Sequence, residues 1–342
     1  MQLSRIFVVL STVAVVGCGG GGQSTDGGRS GGTATVTLDG SSTVFPISEA
    51  VAEEFQKVTP GVRVTVGISG TGGGFQKFCR GETDISNASR PITATEVQAC
   101  AASGVAFVEM PVAYDGLAVV ANPKATWVDH LTVAELKTMW APESQGKVLR
   151  WSHIRPGWPD RELHLFGAGV DSGTYDYFTQ AIVGKEGASR GDFTSSEDDN
   201  VLVQGISNDE LAIGFMPYAY YIENQAALKL VPVDDGKADN GAGPIQPSVE
   251  SVKTGTYQPL SRPVFIYASV KALDRPEVAQ FVDYYLTKGG ALAEEVGYVP
   301  LGDRGYQLVR AHYTARTPGS VFERAGSQVG LTIDQLLQRE TK

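Results

Sequence analysis

The sequence predicts an α/β protein in which a largely parallel sheet is covered by helices. Three observations lead there. A strand, a small-residue turn and a helix follow one another twice between residues 33 and 79, the repeat of a βα unit. Within each unit, apolar residues alternate at strand period and then switch to helical spacing across the turn. Finally, 342 residues with 42% hydrophobic and 19% charged side chains exceed one typical domain and suit two lobes able to bury a core.

The chain opens as a secretion signal. Arg5 supplies a short basic region, and residues 6–16 form an apolar run too short to span a bilayer. The run ends in Val15-Val16-Gly17-Cys18, which resembles a bacterial lipobox. That resemblance implies that residues 1–17 are removed and that Cys18 is lipidated as the first mature residue; an ordinary signal peptide with an incidental cysteine is the alternative. Residues 19–32 contain eight glycines among polar residues and cannot bury enough apolar surface to order themselves. With Cys18 they read as a lipid-anchored tether, 18–32, whose flexible part reaches roughly 20 Å.

The mature elements follow in order. Residues 33–38 alternate as a strand and run into a turn, after which Ile47, Val51, Phe55 and Val58 fall at helical spacing until Thr59-Pro60-Gly61. Val62, Val64, Val66 and Ile68 alternate as a second strand, and the turn at 69–74 opens a helix carrying Phe75, Phe78 and Cys79. Residues 105–108 and 117–120 read as two further strands. A Thr132-x-x-Glu135 capping box starts a helix with Leu136 and Met139. Strands are expected at 163–166, 211–216, 228–233 and 263–270. Helices are expected after Ser172, around 278–286 and from Thr332, and residues 234–247 form a polar excursion.

Three turns share one physical design. Each sets Ser, Thr and Gly just before a helix, where backbone N–H groups lack intrahelical partners and the helix dipole favours negative charge. Glycine permits close approach, and hydroxyls add donors that rotate to suit a ligand. The first turn offers Ser42, Thr43 and the amide of Val44; the second, Thr71 and Gly72; the third, Ser172, Gly173 and Thr174. One such turn is an ordinary helix start, but three in one chain point to oxyanion binding. None matches GxxxxGK[ST], so nucleotide hydrolysis lacks its lysine.

Asp39-Gly-Ser-Ser-Thr-Val-Phe-Pro46, Gly70-Thr-Gly-Gly-Gly-Phe75, Gly81-Glu-Thr-Asp-Ile-Ser-Asn-Ala-Ser-Arg-Pro91 and Asp171-Ser-Gly-Thr174 resemble the phosphate-binding proteins of phosphate-specific ABC transporters, the PstS family, and most closely its cyanobacterial-type branch. The resemblance runs from about Thr33 to about Thr287. It implies a two-lobe type II periplasmic-binding-protein fold, each lobe a mainly parallel sheet flanked by helices, with the ligand dehydrated in the cleft between them. Lobe 1 would be residues 33–112 with 262–342 and lobe 2 residues 113–261, the chain crossing near 111–115 and returning near 258–264. It further implies a monomeric, extracytoplasmic, lipid-anchored receptor whose partners are inorganic phosphate, an ABC permease in the membrane and, through its lipid, the membrane itself. Two positions depart from the family. Ser89 stands where an Asp often accepts the proton of hydrogen phosphate, and Ala168 stands where an Arg often precedes the Ser-Gly-Thr turn. Arg90 is expected to replace the lost cation, since a guanidinium suits phosphate oxygens, and Asp171 is the candidate proton acceptor.

Composition narrows the alternatives. A formal charge of -10 without a basic stripe argues against nucleic acid. With Cys18 lipidated, Cys79 and Cys100 remain as an even pair suited to a disulfide in an oxidising compartment, with two separate buried thiols as the alternative. His130, His153, His164 and His312 are scattered, so no metal site and no cofactor are expected. Trp127, Trp140, Trp151 and Trp158 suit core and surface packing. No nucleophile with a base stands at a convincing spacing, which disfavours a secreted phosphatase. A receptor for sulfate, arsenate or molybdate and a phosphate-sensing lipoprotein remain as alternatives to phosphate delivery.

Overall fold

The computed structural model describes residues 34–322 and 328–341; the signal, Cys18 and the tether lie outside the described residues. β1 (Ala34–Gly40) leads through a turn into α1 (Phe45–Val58), and β2 (Val62–Val66) leads into α2 (Gly70–Cys79). β3 (Ile85–Ala88), α3 (Ala94–Ala102) and β4 (Phe107–Ala121) follow, then β5 (Leu131–Thr132), α4 (Val133–Trp140), β6 (His164–Ala168) and α5 (Gly173–Phe178). The chain continues through β7 (Thr194–Ser196), α6 (Asp199–Asn208), β8 (Ala212–Pro217), α7 (Tyr218–Glu223), β9 (Lys229–Val231) and β10 (Val233–Asp234). α8 (Val249–Lys253), β11 (Ser261–Ser269), α9 (Pro276–Glu295), α10 (Gly302–Ala315) and α11 (Ile333–Glu340) complete it.

The large sheet runs β2-β1-β3-β11-β4-β8-β6-β7, with β9 also paired to β4. Two parallel trios sit at its ends, β2-β1-β3 and β8-β6-β7. Antiparallel β4 and β11 join them. β4 pairs with β11 along Phe107 to Gly116 and with β8 from Leu117 onward, so one strand serves both trios. The α/β class expected from the βα repeat is the class observed, and the helix starts that follow β1, β2 and β6 are those of α1, α2 and α5.

Two expectations are corrected. The separate strands at 105–108 and 117–120 are one fifteen-residue strand. Pro111 lies between the two expected segments, and the ladder shifts register there, with Phe265 opposite Pro111 and Val264 opposite Ala113. Val112 is the extra residue of a bulge, a place where a sheet tolerates proline. The single strand at 228–233 is two, because Pro232 cannot donate to a ladder, and Val233 pairs instead with Leu131 on β5.

A core of buried side chains covers the sheet faces, from Val36, Ile47 and Phe75 to Phe265, Phe281 and Val309. Trp140 and Trp151 are buried within it, and Trp151 meets both Trp127 and Trp158 edge-on. Cys79, ending α2, is bonded to Cys100 in α3, tying two helices together. Reducing this bond, or the double change Cys79→Ser/Cys100→Ser, is expected to lower stability by about 3 kcal/mol in urea denaturation, because the unfolded chain regains the freedom of the loop. An unchanged midpoint would show that the bond is absent from the folded protein.

Candidate functional site

The site grows from strand ends. β1 ends at Gly40, and Ser41 N–H donates to Asn87 O of β3 at 3.0 Å, holding the Ser41-Ser42-Thr43 turn against β3. All three residues are buried. The amide of Val44 is used within the turn, donating to Ser41 O at 3.2 Å. α2 begins at Gly70, whose φ of +73° suits glycine and whose added Cβ would lie 2.5 Å from Asp171 O. The second and third turns therefore touch: Gly72 N–H donates to Asp171 O at 2.9 Å.

Their hydroxyls converge. Thr43 Oγ1 lies 2.9 Å from Thr174 Oγ1. Thr71 Oγ1 lies 3.2 Å from Ser89 Oγ and accepts from Ser89 N–H at 3.1 Å. Gly173 sits over this second pair, and a Cβ there would meet Thr71 Oγ1 and Ser89 Oγ at 2.6 Å each. Thr43, Thr71, Ser89 and Thr174 have no exposed surface. The three helix starts named from the sequence face one another across one buried polar patch. Ser172 is the N-cap of α5, its hydroxyl accepting from Thr174 N–H at 3.1 Å.

The cation among these groups is one the sequence reading missed. Arg262, on β11, donates from Nη2 to Thr43 Oγ1 at 3.1 Å and to Thr174 Oγ1 at 2.8 Å, and from Nη1 to Gly173 O at 2.7 Å. Its Nη2 also reaches Asp115 Oδ2 at 3.1 Å. The ladder sets this pair, since Arg262 stands directly opposite Asp115 on β4. Both side chains are buried. Burial pushes Asp115 up to about 6 in spite of the Arg262 charge and hydrogen bond that pull it down.

Arg90 has other work. Its Nε donates to Asp176 Oδ2 at 2.7 Å, its Nη1 and Nη2 to the two Glu96 oxygens at 2.9 Å each, and Nη1 also to Pro91 O at 3.2 Å. The guanidinium expected to supply the site's charge is spent on an ion-pair network beside it. Asp171 is corrected too: its side chain is exposed, Ser172 rather than Asp171 caps α5, and what Asp171 contributes is a main-chain carbonyl. Ala168 is buried at the end of β6.

Asp199, the first residue of α6, was also missed. It is buried, with the Ser42 hydroxyl near enough to favour its anion, and has no hydrogen-bond partner at Oδ2. Burial pushes its carboxyl up to about 7, opposed by Ser42 and Arg262 and assisted by Asp115 and Asp198. Among the described residues, no group of three or more His, Cys, Asp or Glu could hold a metal ion, and no helix is long and apolar enough to cross a membrane. The chemistry available is donor chemistry, hydroxyls and one guanidinium, with Asp199 Oδ2 and, beside Gly70, Glu197 Oε2 as buried acceptors without a hydrogen-bond partner.

Comparison with known proteins agrees with this chemistry. The profile of a family described as the PBP superfamily domain matches residues 27–288. The chain is 49% identical over 310 residues to protein SphX of Synechococcus elongatus, spanning 90% of this chain and 89% of that one. It is 37% identical over 308 residues to the phosphate-binding protein PstS of Staphylococcus saprophyticus, spanning 89% and 91%. Among solved structures it is similar to a possible phosphate binding protein from Planctomyces limnophilus, at 46% identity and a TM-score of 0.60, covering 83% of this chain and 99% of that one. A putative phosphate ABC transporter substrate-binding protein with bound phosphate from Clostridium perfringens is 25% identical with a TM-score of 0.64, covering 78% and 99%.

Proposed function

The chain belongs to the PBP superfamily, and from that premise we propose that it is a non-catalytic extracytoplasmic receptor that captures inorganic phosphate and delivers it to an ABC importer. The observation that carries this reading is the buried meeting of the Thr43 and Thr174 hydroxyls with Arg262, next to the Thr71–Ser89 pair beneath Gly173. A tetrahedral oxyanion offers several acceptor oxygens to those donors, and each hydroxyl–hydroxyl contact exchanges for a stronger bond to a charged ligand. Asp115 balances Arg262, so the ligand's charge is met mainly by oriented dipoles, as helix starts allow. The two parallel trios of the sheet supply lobes 33–112 with 262–342 and 113–261, which part to admit the ligand and close on it, a hinge motion in which β4 and β11 are the connections. The protein works as a monomer, and Cys18 holds it to the membrane by lipid.

Calorimetry with phosphate, followed by competition with sulfate and arsenate, tests the assignment. Phosphate should bind with one site per chain and resist displacement by sulfate. No heat and no displacement for any oxyanion would end the receptor reading. Within it, Gly173→Ala is expected to weaken phosphate at least about tenfold, because its methyl would occupy the 2.6 Å approach to Thr71 and Ser89. An unaltered affinity would mean that this approach is no part of the bound state.

A further inference from the structure

We propose that Tyr177 is a positioning residue of the site, its ring holding the Arg262 guanidinium at the converging turns both before and after the ligand arrives. This deepens the receptor reading and rests on it. The placement starts in α5. Tyr177 follows Gly173 by four residues and Thr174 by three, spacings that share one helix face. That face meets β11: Gly173 O and Thr174 Oγ1 accept from Arg262, and Arg262 Cζ lies over the Tyr177 ring, 5.5 Å from its centroid. Both side chains are buried, each 1% exposed. A cation gains most from an aromatic face when the contact is desolvated in this way.

The hydroxyl end grips the strand that carries the cation. Tyr177 O–H donates to Pro259 O at 2.8 Å and is shared with Ser261 O, the carbonyl just before Arg262. Its oxygen accepts from Gly330 N–H at 3.4 Å. Burial pushes the hydroxyl far above its ordinary range, with the Gly330 N–H and the Arg262 charge opposing, so it stays a neutral donor. One side chain thus fixes β11 at Ser261 through its tip and the next residue's guanidinium through its ring. The ring matters because the other contacts of Arg262 must change. Its Nη2 already serves Thr43, Thr174 and Asp115, so a bound oxyanion has to take over some of those bonds. While they exchange, a long side chain regains rotamers that binding must then remove. The ring engages the charge and not an N–H···O bond, so nothing in that contact is exchanged. It keeps the cation preorganised, and the affinity otherwise lost in ordering it is retained.

The experiment is phosphate calorimetry on the full-length protein and on Tyr177→Leu and Tyr177→Phe, each alone and combined with Arg262→Met/Asp115→Asn. Tyr177→Leu should weaken phosphate at least about tenfold. Tyr177→Phe keeps the ring and should stay within about threefold of the wild type, although it gives up the bonds to Pro259 and Ser261 and should unfold at lower urea. Where Arg262 is Met, Tyr177→Leu should cost less than about twofold more, because no guanidinium is left to position. A tyrosine that only packs would cost the same in both backgrounds. That result, equal losses in Tyr177→Phe and Tyr177→Leu, or an unaltered affinity in Tyr177→Leu each overturns the assignment. Nuclear magnetic resonance supplies a second readout. The Arg262 Nε–H signal, identified by its loss in Arg262→Met, should lie upfield of the other arginines through the ring current, in the wild type and in Tyr177→Phe, with and without phosphate. Should Tyr177→Leu not fold, or the Arg262→Met background bind too weakly to measure, this signal decides: its persistence with phosphate supports the assignment and its disappearance on phosphate addition overturns it. Phosphate bound equally by Tyr177→Leu and the wild type defeats this inference alone. A wild type that binds no oxyanion defeats the receptor reading as well.

Discussion

Arg262→Met is expected to lower phosphate affinity at least about a hundredfold, ~2.7 kcal/mol, and to cost about 3–5 kcal/mol of folding stability. Two losses act together. Thr43, Thr174 and Gly173 O lose the donor that spans them, and Asp115 is left buried without its counter-charge. The stability loss should depend on pH. Asp115 is raised from 3.8 to about 6 even beside Arg262, so the folded protein prefers its neutral form. The stability linked to that proton is fully present below pH 3.8 and is lost as pH rises through about 6. Without Arg262 the folded-state value climbs further, and the deficit should be larger at pH 8 than at pH 5. Adding Asp115→Asn removes the stranded charge and should restore stability without restoring binding. Urea denaturation at the two pH values, paired with calorimetry, checks both parts. A variant that binds phosphate within threefold of the wild type would take Arg262 out of the site.

The converging turns were legible in the sequence because each is local. Thr43, Thr71, Ser172 and Thr174 sit within a few residues of the helix they start, and the periodicity switch beside them marks the helix. The Arg262–Asp115 pair was not legible in that way. Its members are 147 positions apart, and only the register of two antiparallel strands sets them opposite each other. A weaker signal was present: Asp115 is a lone charge between Val112-Ala113-Tyr114 and Leu117-Ala118-Val119. A charge within a stretch that apolar must be paired if the strand is buried. Arg90 misled for the complementary reason. It follows Ser89 in the chain, but its long side chain reaches Glu96, the residue that closes the α3 capping box. Proximity in sequence fixes the backbone and leaves the guanidinium free to find the nearest carboxylates. The strands expected at 105–108 and 117–120 are one continuous strand whose bulge depends on the partner strand, which the local pattern does not contain.

Arg90→Gln is expected to weaken phosphate at least about tenfold, chiefly by faster release, and to destabilise the fold by about 3–5 kcal/mol at pH 8. Arg90 follows β3 and holds Glu96 at the start of α3, while its Nε bonds Asp176 in α5, two residues after Thr174. It therefore joins the element bearing Ser89 to the element bearing Gly173 and Thr174 without spending its donors on the ligand cluster. Removing it leaves Glu96, Asp176 and Glu186 facing one another; Glu186 is 3.9 Å from the guanidinium. Contacts that hold a closed form act mainly on dissociation, so stopped-flow association should change little while the release rate rises. Burial raises Asp176 from 3.8 to about 6, with Arg90 opposing and Glu186 and Glu96 adding. Stability linked to its protonation is present below pH 3.8 and lost as pH rises through about 6. The variant's deficit should thus shrink at pH 5, where Asp176 can go neutral, and Asp176→Asn in the same chain should recover part of it at pH 8. The competing role, a direct bond from Arg90 to phosphate, makes a different pattern: affinity falls, folding stability at pH 8 stays near wild type, and Asp176→Asn brings no recovery. That pattern would move Arg90 from the clamp into the binding site.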